Sequence, residues 1–488
     1  MIQNNLEKYT IQLPKKLNFV LKKIDSNSNG IVFITNLENK LIGSLSDGDI
    51  RRGMMKNQVS KYVNINSKYI NKKPFFLNYD SDVKKILSYL ESKKNKKKYK
   101  CIPLVDNKKV IQDISTIESL RKYPIINLKI DNSEINNVID AMKSGWISSA
   151  GSFVSQFEEN FSKYLGGGYS ITTTSGTTAL ELALKSLQIG LGDEVILPNL
   201  SFAASINSII NVGAKPVVVD INPKTWTIDC NKILEKISSK TKAIMPVHIY
   251  GQPCEMDEIK KIAKSKNIYI VEDAAEALGA TYKNAKIGLH GDCSCFSFYA
   301  NKTITTGEGG MVVFKKKKYF KLANQIKNHG MSRKRFYFHE TVGSNYRMTN
   351  IQAAIGISQL KKIKSLILSR RRIFQYYNKR LRKFNYIKLL PENNWSTNSY
   401  WLYTILIENL GTKRREKLIK NLLKKGIETR PAFYPFNSMN IYKKYCSGSY
   451  KFSVKIANNS ISLPSTSISQ YDQDLIINIL IKEINKLI

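Results

Sequence analysis

The sequence predicts an α/β protein whose mostly parallel sheet carries helices on both faces, with a smaller α/β module ahead of it and a small α+β region behind it. Three observations point there. Short apolar runs at Glu194–Leu197, Pro216–Val219, Ala243–Val247 and Ile268–Val271 alternate with stretches of helical period, the pattern of a parallel sheet buried on both faces. Residues 1–122 instead carry a strand–turn–strand pattern twice. The chain of 488 residues is long enough for two or three domains, and its 42% hydrophobic content suffices for buried cores.

In the first module, Gly30-Ile-Val-Phe-Ile-Thr35 reads as a strand and Asn36–Lys40 as a turn. Leu41-Ile-Gly-Ser-Leu-Ser-Asp-Gly-Asp-Ile-Arg-Arg52 then reads as a second strand entering a helix. A weaker copy runs from about Tyr62 through Cys101-Ile-Pro-Leu-Val-Asp-Asn-Lys-Lys-Val-Ile-Gln-Asp113. The segment resembles a CBS domain pair. That resemblance implies nucleotide contacts from Ser46 and Asp49, a Ser-x-x-Asp pattern that the second copy lacks after its strand. A regulatory nucleotide and a purely structural or dimerising role both stay open. Lys122-Tyr-Pro-Ile-Ile126 reads as the linker, because Pro124 stops any continuing helix.

Beyond the linker, a strand before Thr172-Thr-Thr-Ser-Gly-Thr-Thr-Ala-Leu180 leads into a helix. Free N–H groups at that helix start, with Gly176 and the Thr177 and Thr178 hydroxyls, make a phosphate cradle. Asn267-Ile-Tyr-Ile-Val271 is a buried strand followed at once by Glu272-Asp-Ala-Ala-Glu-Ala277, which places Asp273 where parallel strands present ligands. A carboxylate there either caps the next helix or pairs with the ring nitrogen of pyridoxal phosphate (PLP), keeping the ring protonated as an electron sink. Lys302 lies between the strand ending at Phe298 and the turn Thr306-Gly-Glu-Gly-Gly310, a setting for an imine-forming lysine. Strands near Cys295–Phe298 and Met311–Phe314 flank it. From Asn350 one long helical stretch, with Leu360, Ile363, Ile367, Phe374, Tyr377 and Leu381 on its apolar stripe, leads to the C-terminal region. There Leu418–Leu423 is an amphipathic helix ending at Gly426.

Seven motifs now stand in one order: Gly145-Trp-Ile-Ser-Ser149, Ser175–Leu180, Gly192-Asp-Glu-Val-Ile-Leu-Pro198, Val247-His-Ile-Tyr-Gly-Gln-Pro253, Glu272–Ala277, Asn301–Gly310 and Asn345-Tyr-Arg-Met-Thr-Asn-Ile-Gln-Ala-Ala354. From about Ile126 to the end, the chain resembles the sugar aminotransferases of the DegT/DnrJ/EryC1/StrS family, which have the aspartate aminotransferase-like (PLP fold type I) architecture. The resemblance implies a large domain at 126–360 and a small one at 361–488. It implies that Lys302 forms the imine with PLP, Asp273 pairs with the ring nitrogen, Glu276 lies near the phenolic oxygen and Phe202 stacks on the ring. Gly176, Thr177, Thr178 and Ser297 would hold the phosphate, with Asn345 reaching in from a second subunit, so a homodimer with shared sites is expected. Trp146, Ser148, Arg347, Arg430 and Asn437 are the candidate substrate contacts.

Related enzymes that dehydrate a keto-sugar carry histidine where this chain has Lys302, so transamination is expected and dehydration is the alternative. The motif wording, with Ser399-Tyr-Trp-Leu402, resembles members that move an amino group from glutamate to carbon 4 of a GDP-linked 4-keto-6-deoxy sugar for a surface polysaccharide. Asn437 stands where relatives usually carry histidine, a departure that bears on the sugar. A nucleotide sensor with an inactive aminotransferase body is the alternative from another class, and the intact Lys302, Asp273 and Ser297 set argues against it.

The formal charge of +39 would ordinarily raise nucleic acid or an anionic membrane as partner. Basic residues are instead spread along the chain, and the densest run, Lys93–Lys100, reads as a solvated loop. Neither partner is expected; a basic surface still attracts a nucleotide-diphosphate sugar. With no signal-peptide core and no apolar run near the ~20 residues that span a bilayer, a cytoplasmic protein is expected. Cysteines at 101, 230, 254, 293, 295 and 446 read as buried thiols, Cys293 and Cys295 alternating faces of a strand, and no metal site is expected.

Overall fold

A computed structural model describes residues 6–27, 29–55, 64–65, 69–79, 81, 83–90, 99–116, 123–128 and 130–488. The chain divides into two compact units: Met1–Tyr123 with Leu423–Ile427, and Pro124–Leu422 with Glu428–Ile488. The expected start of the second copy at Tyr62, most of the basic run at Lys93–Lys100, and the positions after the second hairpin that would carry Ser-x-x-Asp lie outside the described residues.

The first unit is internally duplicated. Thr10–Ile11 runs parallel to Ile31–Thr35, which pairs antiparallel with Leu41–Ser46. Leu77–Asn78, Cys101–Val105 and Ile111–Thr116 repeat that arrangement. Even the turns correspond. Asn36 Oδ1 accepts from the N–H groups of Glu38 and Lys40, as Asp106 Oδ1 does from Lys108 and Val110, and the side chain-to-backbone bonds of these Asx turns fix both hairpins. The hairpins bond to each other through Leu41 N–H to Lys109 O and Ile111 N–H to Asn39 O. Phe33, Leu41, Cys101, Val105, Ile111 and Ile114 form their shared core.

The second unit is built on a seven-stranded sheet: β1 (Tyr169–Thr173), β2 (Glu194–Pro198), β3 (Lys215–Val219), β4 (Thr241–Ile244), β5 (Tyr269–Asp273), β6 (Cys293–Ser297) and β7 (Gly310–Phe314). Their spatial order is β3-β2-β4-β5-β6-β7-β1. β7 runs antiparallel to both neighbours, and the pairs among β2, β3, β4, β5 and β6 are parallel. Both faces are buried, because successive residues feed opposite cores: Ile196, Ile270, Phe296, Met311 and Val313 on one face, Val195, Leu197, Val271, Val312 and Phe314 on the other.

Cys293 and Cys295 therefore do not alternate. Two residues apart, both thiols join the same core, and Phe296 takes the opposite face. β4 stops at Ile244, short of the expected Val247, because Pro246 has no N–H to continue the ladder. The long stretch after Asn350 is two helices, Asn350–Lys361 and Ile363–Leu381, meeting at Lys362. A four-stranded antiparallel sheet follows, in the order Ile387–Leu389, Tyr403–Ile407, Ser460–Leu463, Arg430–Pro431.

Candidate functional site

The C-terminal ends of β1, β5 and β6 and the loop after β2 carry the candidate residues, the edge where open α/β sheets bind ligands. Asp273 ends β5. Its carboxylate accepts from the buried Ser205 hydroxyl at 2.7 Å and from the Ala275 N–H at 3.2 Å, and Ser205 is itself 2.7 Å from Ser201 Oγ. Residues 274–280 form turns, not a helix, so Asp273 does not cap a next helix; Ser205, on the helix that follows β2, orients it.

Lys302 sits in the turn between β6 and β7, its N–H donating to Tyr299 O at 2.9 Å. Its amine lies 3.7 Å from Glu276 Oε1 and 3.7 Å from the Trp401 ring centroid. Glu276 Oε2 accepts from the Tyr250 N–H at 2.7 Å. Tyr250 holds φ at 51°, a left-handed conformation that a bulky residue adopts only under constraint. Its ring stacks 5.4 Å from Phe433 and 6.4 Å from Trp401, which supplies that constraint. Burial lowers the Lys302 amine below the ordinary lysine range, against the pull of Glu276 and Asp273. Burial also pushes the Glu276 carboxyl up to about 7, against the Lys302 charge.

The cradle is built by reciprocal capping. Ser175 Oγ accepts from the Thr178 N–H, and Thr178 Oγ1 accepts from the Ser175 N–H, which fixes the start of α1 (Gly176–Ser186). The Thr178 hydroxyl, expected at the phosphate, makes that cap. Gly176 is obligatory for a different reason: a Cβ there would lie 2.8 Å from Ser297 Cβ. The chain thereby brings Gly176, Thr177 and Ser297 to one place, with the first N–H groups of the helix lacking intrahelical acceptors.

The remaining candidates make contacts of their own. Phe202 begins α2 (Ala203–Asn211), is 58% exposed and tilts against Phe433 at 5.8 Å. Trp146 is exposed, and the Ser148 carbonyl accepts from the Asn350 N–H. Asn345 Oδ1 accepts from Arg347 Nε at 3.0 Å, and Arg347 also donates to Asn328. Arg347 lines a cavity of about 470 Å³ with Lys327, Arg333 and Ser149, a lining that excludes Lys302, Asp273 and Glu276. Arg430 pairs with Glu428, and Asn437 accepts from Asn199 Nδ2 at 2.8 Å. In the first unit, Asp49 Oδ2 accepts from both the N–H and the hydroxyl of Ser46, and Arg52 pairs with Asp49, so these side chains cap the helix Asp47–Met55.

Residues 128–480 match the model of the DegT/DnrJ/EryC1/StrS aminotransferase family. The chain belongs to that family. It is 41% identical over 364 residues to the GDP-perosamine synthase of Caulobacter vibrioides, covering 74% of this chain and 98% of that one. It is 42% identical over 325 residues to the GDP-perosamine synthase of Escherichia coli O157:H7, covering 67% and 88%. A putative sugar aminotransferase of Streptococcus pneumoniae, solved in its PLP form, superposes with a TM-score of 0.70 at 31% identity, covering 74% of this chain and 98% of that one.

This family member is a PLP-dependent sugar aminotransferase. Its own geometry fits the cofactor: a cradle that a Cβ would fill, an amine lowered by burial, and a carboxylate oriented at the end of a central strand. PLP, when bound, supplies the electron sink that makes a C–H next to nitrogen acidic. Lys302 Nζ, lowered by burial and beside Glu276, can hold or release a proton.

Several contributors escaped the sequence reading. Glu272 is fully buried and accepts from His248 Nε2 at 3.2 Å and from the His290 and Gly291 N–H groups at 2.9 and 2.7 Å. Burial raises its carboxyl, but His248 and then His290 and Gly291 outweigh that and hold it below the ordinary value. This network locks the end of β5 that presents Asp273. Arg370, on α3 (Ile363–Leu381), was also missed, although it falls in phase with Ile367 and Phe374 on the buried stripe of that helix.

Proposed function

We propose that this enzyme transfers the amino group of glutamate to a GDP-linked 4-keto-6-deoxy sugar, as a GDP-perosamine synthase does, to make an amino sugar for a surface polysaccharide such as O-antigen. The observation that carries the reading is Lys302 beside Glu276 and Asp273, at 41–42% identity to two enzymes of that name. The alternative is a sugar dehydratase on the same cofactor, and the amine at 302 disfavours it. Gly176, Thr177, Ser297 and Asp273 are the proposed cofactor contacts in this chain, with Phe202 at the ring face. Arg430, Asn437, Arg347, Trp146 and Ser148 remain the proposed sugar-nucleotide contacts.

Shared active sites in a homodimer are part of this proposal. What supports them is an exposed apolar stripe on the helix Asn132–Lys143 at Ile135, Ile139 and Met142, continued by Trp146 and Ile147. A hydrophobic face of that extent favours a protein partner over water. Among the described residues no helix is long and apolar enough to cross a membrane; a cytoplasmic location is the reading that a nucleotide-sugar substrate favours. The duplicated first unit is proposed to be a CBS pair binding a regulatory nucleotide at Ser46 and Asp49. Calorimetry with adenine nucleotides tests it, and binding unchanged by Asp49→Ala would refute that site.

Mass spectrometry of product after incubation with glutamate and a panel of nucleotide-linked 4-keto sugars tests the main reading. The expected product gains nitrogen with the GDP-linked sugar, and Lys302→Ala abolishes turnover. Loss of water without gain of nitrogen would establish the dehydratase instead, and wild-type turnover by Lys302→Ala would overturn both.

A further inference from the structure

Arg370 is a buried cation in an unusual place. Its side chain leaves α3 and enters the interior below the Lys302 turn, and the residue is only 5% exposed. Nη1 donates to the Trp401 carbonyl and Nη2 to the Lys302 carbonyl, each at 3.1 Å. Its neighbours Arg371 and Arg372 lie off the buried stripe, Arg371 half-buried and Arg372 exposed. No carboxylate forms an ion pair with it among the described residues. Burying a charge without a counter-ion is costly unless the fold gains something in return, and main-chain carbonyls compensate only in part.

The two carbonyls belong to the two residues that meet above it. The Lys302 amine lies over the Trp401 indole at 3.7 Å, and the Trp401 Nε1–H donates to Asn301 O at 2.9 Å. One planar fork thus ties the backbone of the nucleophile to the backbone of the ring on which it rests, a geometry that suits arginine and not lysine. The charged groups facing the amine are Glu276 and Asp273 from the end of β5 and Arg370 from α3. The carboxylates favour the protonated amine; the guanidinium opposes it.

We propose that Arg370 is a positioning residue for Lys302: it clamps the lysine turn against Trp401 and keeps a fixed positive charge behind the amine, so that the amine is free to react. The proposal rests on Lys302 being the reactive lysine, and its test separates the two. In the full-length chain stripped of cofactor, trace labelling with acetic anhydride across pH, read at the Lys302 peptide by mass spectrometry, reports the fraction of neutral amine without any cofactor. Arg370→Met and Arg370→Gln are expected to move the half-labelling point to higher pH, with labelling about tenfold slower below it, equivalent to one pKa unit. Arg370→Lys keeps the charge and is expected to stay near the wild-type midpoint while taking up PLP less tightly, because it cannot span both carbonyls.

Unchanged midpoints in folded Arg370→Met and Arg370→Gln would overturn the proposal. Should both fail to fold, Arg370→Lys decides: a midpoint displaced upward by a full unit refutes the electrostatic role. Separately, a wild-type chain that gains no visible absorbance with PLP would sink the assignment of Lys302 and leave the labelling result standing.

Discussion

Glu276 offers the most direct check on the electrostatics of the site, because its carboxyl is raised from 4.5 to about 7 by burial, against the opposing charge of Lys302. A carboxyl with a raised folded-state pKa binds its proton more tightly in the native state than in the unfolded chain. Its contribution is complete at low pH and is lost as pH rises through about 7. Most of that contribution is lost between pH 5 and pH 8, on the order of 2–3 kcal/mol. Glu276→Gln fixes the neutral form. Its stability relative to wild type is therefore expected to improve by roughly 2–3 kcal/mol between those two pH values. For a unit of roughly 360 residues, that is a shift of about 3 °C in unfolding temperature. The assay is thermal unfolding of both cofactor-free proteins at pH 5 and pH 8. An offset between them that stays the same at both would refute the raised carboxyl.

Gly176→Ala is expected to weaken PLP binding at least ~10-fold in an absorbance titration, since its Cβ would fall 2.8 Å from that of Ser297; this loss opposes the ~1 kcal/mol that alanine gains over glycine in a helix. Unchanged affinity would show that the cradle lies elsewhere. Glu272→Ala strips three donors of their acceptor at a fully buried position and is expected to cost about 3–5 kcal/mol. The measurement is unfolding temperature and soluble yield, with Glu272→Gln expected to lose less.

Much of the sheet could be read directly from the residues, because strands buried on both faces are written as unbroken apolar runs such as Val195–Leu197 and Met311–Phe314. Lys302, Asp273 and the Ser175–Leu180 turn stood out because motif spacing ties them to strand ends. What escaped was set by tertiary geometry. The break at Lys362 is invisible because Leu360, Ile363 and Ile367 continue one apolar stripe across it. The cap made by Ser175 and Thr178 is not legible apart from a phosphate cradle, because both use the same residue types. Arg370 sits in a run of three arginines, and only its phase with Ile367 and Phe374 distinguishes it from its neighbours. Ser205 could not be linked to Asp273 from the sequence, since 68 residues separate them.

The reciprocal cap between Ser175 and Thr178 has a kinetic consequence. Because each side chain satisfies the other's backbone N–H, the turn at the head of α1 is rigid before any anion arrives. The entropy of ordering that turn is lost during folding, so association immobilises the incoming molecule alone. Such preorganisation leaves the encounter rate to diffusion and the basic surface, and it makes escape, not capture, the step through which changes in this turn would act.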